Sequence, residues 1–478
     1  MQVPLPRGAF SGQSLNVNAN ICENFFPEYD QEQGKSVIAL YGTPGLDTAL
    51  VTLLADNPVR NVYEFGGVLY AIAGSKLYSV TTGWVATERG IIGTASGWVD
   101  LDDDGVNLLI CDGSLSYYYE PSGDTFAATP GLFTNDGSVT HQDGFAIYSE
   151  KDGQRMQIDN LLDPTTRDAG DITTVRRTSD NIVRVFSSRG ELLVFKDKNI
   201  DIYYNTAAAN FPFETSPGAF IDKGELARGA LTEWDGVPYW IDDNRELTRM
   251  IGHETQKLNT PQIDYQFSLF STVSDAILFS CEIQGHIWIV CIFPSESKTF
   301  VYDVSMSDLS GMHTWFTMTS KDTTSGLDKR HRSNCYAFFN NTHVIGDYET
   351  GKLFSWDKAI YSDAGTRIRR RLLFPTLHSK NQRERVIDHV FEIEFEAGVG
   401  LTTGQGSDPM AMVDYSNDGG HIFSNELWRS VGKKGDYKNL ARWRRQGKYR
   451  QRNYRLTVTD PVKWVVVAAN HDPERLDE

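Results

Sequence analysis

The chain has 478 residues, 40% of them hydrophobic and 12% aromatic, with 41 glycines and a formal net charge of −17. That length allows a large core and two or three domains, and the acidity excludes tight duplex binding by the body of the chain, because counterion release rewards cationic surface only. The charge is uneven: residues 361–478 carry 20 Lys+Arg against 16 Asp+Glu, which leaves 26 against 47 for residues 1–360. Such asymmetry reports a partner or a tail rather than a fold.

The first seven residues contain no apolar h-region, so no secretion signal is expected. Residues 1–45 are polar (Asn16, Asn18, Asn20, Asn24) and are expected to form an extended N-terminal arm or an edge strand, ending at the turn Gly42-Thr43-Pro44-Gly45. From Val62 to Trp356 one event recurs seven times: an alternating apolar run, a Gly- or Asp-containing turn, and a second run rich in aromatic and branched residues. The first copy is Val62-Tyr63-Glu64-Phe65, Gly66-Gly67, Val68-Leu69-Tyr70-Ala71-Ile72, and later copies start near Val99, Phe145, Val183, Leu231, Ile277 and Tyr336. Period-2 alternation is what a half-buried strand requires, and regularly spaced hairpins suit stacked antiparallel sheets. The predicted fold is all-β: a β-propeller of six to eight blades over residues 46–360, with rim loops at 160–181, 205–230 and 318–333.

Within this region Asp100-x-Asp102-x-Asp104-Gly105 matches the first half of a calcium loop, but Leu108 and Cys111 stand where later ligands belong, so an acidic hairpin turn is preferred to a cation site. Five scattered cysteines (Cys22, Cys111, Cys281, Cys291, Cys335) without a CxxC pair read as reduced, mostly buried thiols, with a Cys281–Cys291 bridge left open. The histidines form no HExxH motif, and GxSxG and GxxxxGK[ST] are absent. Neither a catalytic residue, a metal site nor a cofactor is expected. The longest apolar runs are far too short to span a membrane.

Residues 361–478 change character and are expected to form a basic β-sandwich, with strands over 386–396, 410–415, 454–459 and 464–469 and a short helix within 425–440. Ser416-Asn417-Asp418-Gly419-Gly420-His421-Ile422-Phe423 has the outline of an Asp box, a hairpin device that is structural even in sialidases. The run that follows holds the candidate interface residues Arg429, Lys433, Lys434, Arg442, Trp443, Arg444, Arg445, Lys448, Arg450 and Arg452, with Trp428, Tyr437, Tyr449 and Tyr454 interleaved. Such a mixture can grip phosphates while stacking on bases, anchor an acidic protein, or form a solvated face. Protein contact is preferred, since the acidic remainder repels a duplex.

Four stretches together resemble the tail nozzle family of short-tailed double-stranded DNA phages, also called tail accessory factors or packaged-DNA stabilisation proteins. They are Asn24-Phe25-Phe26-Pro27-Glu28 with Thr43-Pro44-Gly45-Leu46; residues 180–213 from Asp180-Asn181-Ile182-Val183 to Phe211-Pro212-Phe213; Leu372-Leu373-Phe374-Pro375 with the Glu/apolar strand; and 414–420 with Trp443-Arg444-Arg445 and 454–459. The resemblance implies a homohexamer beneath the portal and its adaptor ring in the virion tail, assembled in the host cytoplasm. Such a nozzle holds a needle or plug, offers its flanks to tailspikes or fibres, and passes genomic DNA without binding it specifically. The basic domain then faces the adaptor, and the 160–181 and 318–333 loops face outward or distally. The competing expectations are a carbohydrate-binding or sialidase-like propeller, with a cluster of Arg, Glu and Tyr at its centre, and a monomeric scaffold.

Overall fold

The computed structural model describes the chain except residues 7, 9–11, 16–18, 30–36, 130, 210, 323–324, 379–383 and 476–478. Asn16, Asn18 and parts of two expected loops, at 210 and 323–324, therefore lie outside the described residues.

Seven blades surround one axis. Five are separate four-stranded sheets, over residues 59–91, 100–128, 136–174, 182–221 and 231–257. The sixth, 277–317, belongs to a ten-stranded sheet, and the seventh joins 333–357 to the N-terminal strand Gly45–Thr52. The first strands of successive blades pack on one another, and the seventh returns to the first. Each blade is buried on both faces, so the second strands hold unbroken apolar runs: Val68–Ala73, Leu108–Cys111, 192–195 and 287–293. Each gap between blades is one apolar layer, as where Tyr70, Ile72 and Leu77 of the first blade meet Leu108, Ile110 and Tyr117 of the second.

The expected repeats are the seven blades, with one offset. Phe145 opens the second strand of the third blade, because the first strand, Asp136–Gln142, buries small and polar residues that carry little apolar signal. Two expected loops contain outer strands for a similar reason. Ile172–Thr174 and Phe213–Ile221 are half-exposed edges, and the second includes Pro217 and Gly218, which edges accept and central strands do not. The 160–181 segment is also pinned inward. The fully buried Arg167 side chain pairs with Asp136 at 3.2 Å and lies 3.4 Å over the Tyr148 ring.

The N-terminal residues expected as an arm are laid into the body. Gly45–Thr52 closes the propeller by pairing antiparallel with Lys352–Asp357. Gly45 is required there, since a Cβ would come within 2.5 Å of the Ser362 carbonyl. Upstream, Gln2–Val3, Phe25–Tyr29 and Ile38–Gly42 join Val386–Phe395, Ala441–Tyr449 and Val465–Arg475 in one sandwich sheet. Ile21–Glu23 enters the other, beside Arg370–Leu373, Gln451–Val458, Met410–Ser416 and Leu427–Ser430. Ile21–Glu23 also runs parallel to the last strand of the sixth blade, Glu23 opposite Thr317, so the ten-stranded sheet crosses from propeller to sandwich. The expected helix within 425–440 is absent: Leu427–Ser430 is a strand followed by a loop. Among the described residues the two helices are elsewhere, at Pro261–Ser268 and Val304–Ser310.

The 318–333 segment packs against this crossing. Its hairpin, Thr319–Lys321 with Asp328–Arg330, is held by Asn24, whose amide donates to Thr319 O at 3.0 Å and Arg369 O at 2.8 Å and whose Oδ1 accepts from Thr319 N–H at 2.9 Å. Asp328 pairs with Arg369, and Ser320 donates to the buried Asp363 at 2.7 Å. Burial pushes the Asp363 carboxyl up to about 6. All five cysteines are free and buried. Cys281 and Cys291 face opposite sides of the sixth blade, in different apolar layers, which rules out the bridge left open above.

Two expectations follow. Asn24 holds a left-handed φ of 56° and its amide is fully used, so Asn24→Ala should destabilise by about 2–4 kcal/mol in urea unfolding. His331 is buried between Arg330 and Arg332, and burial holds it down at about 3 from the usual 6.5. Its stabilising contribution is complete above pH 6.5 and is lost as pH falls toward 3, at about 1.4 kcal/mol per pH unit. His331→Asn should flatten that acid limb in unfolding midpoints measured against pH.

Candidate functional site

The basic run forms one side of the sandwich, where the ends of its two sheets meet. Leu427–Ser430 is the outermost strand of one sheet and Ala441–Tyr449 of the other. Arg429 Nε donates to Arg442 O at 2.9 Å, and Trp443 Nε1 donates to Leu427 O at 2.7 Å. Alternation along Ala441–Tyr449 puts Arg442, Arg444 and Lys448 outward and Trp443 and Tyr449 inward. A bulge, with Arg445 at φ 59°, turns that side chain out as well.

Eight of the ten expected interface residues are therefore exposed: Arg429, Lys433, Lys434, Arg442, Arg444, Arg445, Lys448 and Arg450. Arg442 is paired with Glu392 at 2.5 Å. Arg444, Arg445, Arg450, Lys433 and Lys434 meet no carboxylate in ion-pair contact among the described residues. Trp428 and Tyr437, 52% and 77% exposed, flank them.

Trp443 and Arg452, at 0% and 1% exposure, are corrected to core residues. Arg452 lies 4.1 Å over Tyr415 and 4.3 Å over Tyr449, and donates to Asn417 Oδ1 at 2.9 Å and Gln446 O at 2.7 Å. Beside it the buried Asp388 accepts from Tyr454 Oη at 2.9 Å and Tyr449 Oη at 3.3 Å, and contacts His471 Nδ1 at 3.2 Å. Burial and the Asp388 charge push both phenols up. This network makes the basic edge rigid from behind, and nothing in the spacing of Arg452 separates it from its exposed neighbours. The Asp box serves a turn: Asp418 accepts from His421 and Ile422 N–H at 3.0 Å, and Ser416 Oγ accepts from Gly420 N–H at 2.9 Å.

Around the propeller axis stand arginines that sequence reasoning missed, and Arg60 and Arg228 line cavities there of about 430 and 660 Å³, Arg228 both and Arg60 the smaller. Arg60 donates to the carbonyls of Gly97, Gly74, Thr94 and Ser96. Arg228 donates to Trp98 O and Gly137 O, and Arg184 to Arg228 O. A positional signal existed, since each lies within three residues of the start of a blade's first strand. The three aspartates of the half calcium loop diverge. Asp100 is buried against Arg184 at 3.2 Å, Asp102 accepts from Thr140 Oγ1 and His141 N–H, and Asp104 caps its own turn at Val106 and Asn107. Among the described residues, no group of three or more His, Cys, Asp or Glu is placed to hold a metal ion, and no helix is long and apolar enough to cross a membrane.

Core and edge residues of this run should respond differently to substitution. Arg452→Met leaves buried acceptors unpaired and should cost about 2–4 kcal/mol, whereas Arg444→Glu should stay within about 0.5 kcal/mol, both read from urea midpoints.

Similar solved structures include the computationally designed Ika8 protein (9% identity, 65% of this chain and 99% of that one, TM-score 0.40). Others are a chain of the mitotic checkpoint complex (12%, 69% and 95%, 0.42) and the Pan2 WD40 domain of Neurospora crassa (8%, 65% and 95%, 0.42). None of the curated proteins matches the chain. Residues 1–361 match the family described as "Bacteriophage P22 Gp10, beta-propeller", and residues 370–472 match "Bacteriophage P22 Gp10, beta-sandwich". With the propeller, the sandwich and the four matching stretches in place, the chain belongs to the bacteriophage P22 Gp10 family of tail accessory, packaged-DNA stabilisation proteins.

Proposed function

We propose that six copies of the chain form a passive tail nozzle below the portal and its adaptor ring, retaining packaged DNA and channelling it at ejection. The observation that carries this reading beyond the family is the unpaired cationic edge on an otherwise acidic chain. Exposed Arg444, Arg445, Arg450, Lys433 and Lys434 beside Trp428 and Tyr437 have the composition of a protein-binding edge. The preferred partner is an acidic surface of the adaptor or of a neighbouring subunit. Cations on both outermost strands also block unwanted strand addition there. Residues 1–360, with 26 Lys+Arg against 47 Asp+Glu, supply carboxylates for the bore wall, so the genome slides without adhering.

In the same reading a needle or plug closes the bore, tailspikes or fibres take the flanks, and no reaction is catalysed. The runner-up, a sialidase-like or carbohydrate-binding propeller, needs axial arginines free to meet a substrate. Arg60, Arg184 and Arg228 are instead spent on backbone carbonyls, and the one Asp box lies in the sandwich.

Charge reversal tests the edge. Arg444→Glu with Arg450→Glu should weaken the complex with purified adaptor by about tenfold or more at low salt, measured by sedimentation, with the circular dichroism spectrum unchanged. Undiminished adaptor binding by a folded double variant would remove the edge from the interface.

A further inference from the structure

The segment leading into the fifth blade buries a carboxyl at the propeller axis. Glu225 is 2% exposed, and neither of its carboxyl oxygens has a hydrogen-bond partner among the described residues. Its backbone is pinned, since its N–H donates to Lys196 O at 2.9 Å and it bridges to Asp242. The charged side chains that face it are Arg184 from the fourth blade, Asp100 from the second and Arg228 from its own segment. Lys196 and Asp242, on the neighbouring strand ends, are turned to other partners, Asp201 at 3.8 Å and Lys223. Burial pushes the Glu225 carboxyl well above the usual carboxylate range, opposed by the charges of Arg184 and Arg228 and reinforced by that of Asp100.

Charge alone does not decide the state of this group. Asp100 meets two guanidiniums, Arg184 at 3.2 Å and Arg228 at 3.9 Å, so an ionised Glu225 would make the cluster neutral. Those guanidiniums keep their charge near water, at 11% and 19% side-chain exposure, and Arg228 lines both axial cavities. Glu225 has no such access. Hydrogen bonding decides. Arg228 donates to Gly137 O and Trp98 O, and Arg184 Nη1 to Arg228 O and Leu231 O. Beside the Glu225 oxygens, the acceptor Asp100 Oδ2 and the donor Arg184 Nε are also buried without a partner. A carboxylate at 225 could answer only the donor, and it would set a second buried anion against Asp100. An undissociated carboxyl carries both a donor and an acceptor and answers both. We propose that Glu225 is a resident carboxylic acid, a proton site at the propeller axis, its O–H donating to Asp100 Oδ2 and its carbonyl accepting from Arg184 Nε. The proton joins three blades, and its loss puts an unpaired charge into the axis.

Infrared spectroscopy of the full chain at pH 7 tests this, because an undissociated carboxyl has a C=O stretch that carboxylates lack. Such a band should shift when glutamate carboxyls are labelled with carbon-13, and vanish in Glu225→Gln. Asp100→Asn should also abolish it, since the two guanidiniums then face no carboxylate but Glu225 and draw it into ionising. Linkage gives an independent readout. The folded chain holds a proton that the unfolded chain releases above 4.5, so this contribution is complete below 4.5 and is lost as pH rises, by up to about tenfold in the unfolding constant per pH unit. Glu225→Gln keeps a donor and an acceptor without the charge, so its stability in urea should gain on the parent's from about pH 5 to about pH 8. A glutamate-labelled acid band missing at pH 7, a band that survives Glu225→Gln or Asp100→Asn, or a parent-to-variant stability ratio constant across that range would overturn the assignment.

Discussion

One parallel pairing, Glu23 beside Thr317, carries the architecture. It makes the last strand of the sixth blade and the sandwich strand Ile21–Glu23 neighbours in one sheet, so the two domains share backbone hydrogen bonds as well as a surface. The apolar core is correspondingly continuous, running from Trp288, Phe316 and Trp356 of the propeller through Phe25 and Phe26 to Phe391 and Tyr454 of the sandwich. Asn24, Arg371 with Glu23, and Arg369 with Asp328 line the polar rim of the same crossing. Shared strands with a common core resist hinge motion in a way that a flexible linker does not.

That rigidity gives the charge pattern its meaning. On two loosely tethered domains, a basic edge and an acidic body would collapse onto each other or average out. Here the unpaired cations stand on and beside the outermost strands of the sandwich, backed by the buried Arg452–Asp388 network, and are held at a fixed place relative to the propeller. The propeller is itself a closed ring, locked by Gly45–Thr52 and by guanidinium groups tied to carbonyls across its axis.

Sequence carried most of the fold and only part of the site. Hairpin alternation marks one unit in each blade but leaves the count at six to eight; the units are visible because strands packed on both faces must be apolar, as in 68–73 and 287–293. The outer strands 172–174 and 213–221 were hidden by the polarity of an edge. The N-terminal strands were hidden because Phe25 and Phe26 find partners hundreds of residues away, which no local pattern records. Charge composition located the basic edge, but Arg452 and Arg444 look alike in sequence. Only the register, with one side chain pointing into a tyrosine cluster and the other away, separates anchor from surface.

The most direct test is a cryo-electron microscopy map of the assembled ring with its adaptor, at a resolution that assigns side chains to the bore. The account predicts six copies, a bore wall formed by acidic surface of residues 1–360, and residues 429–455 seated on the adaptor or an adjoining subunit. A cationic bore, or a stable single subunit that ignores the adaptor, would contradict it.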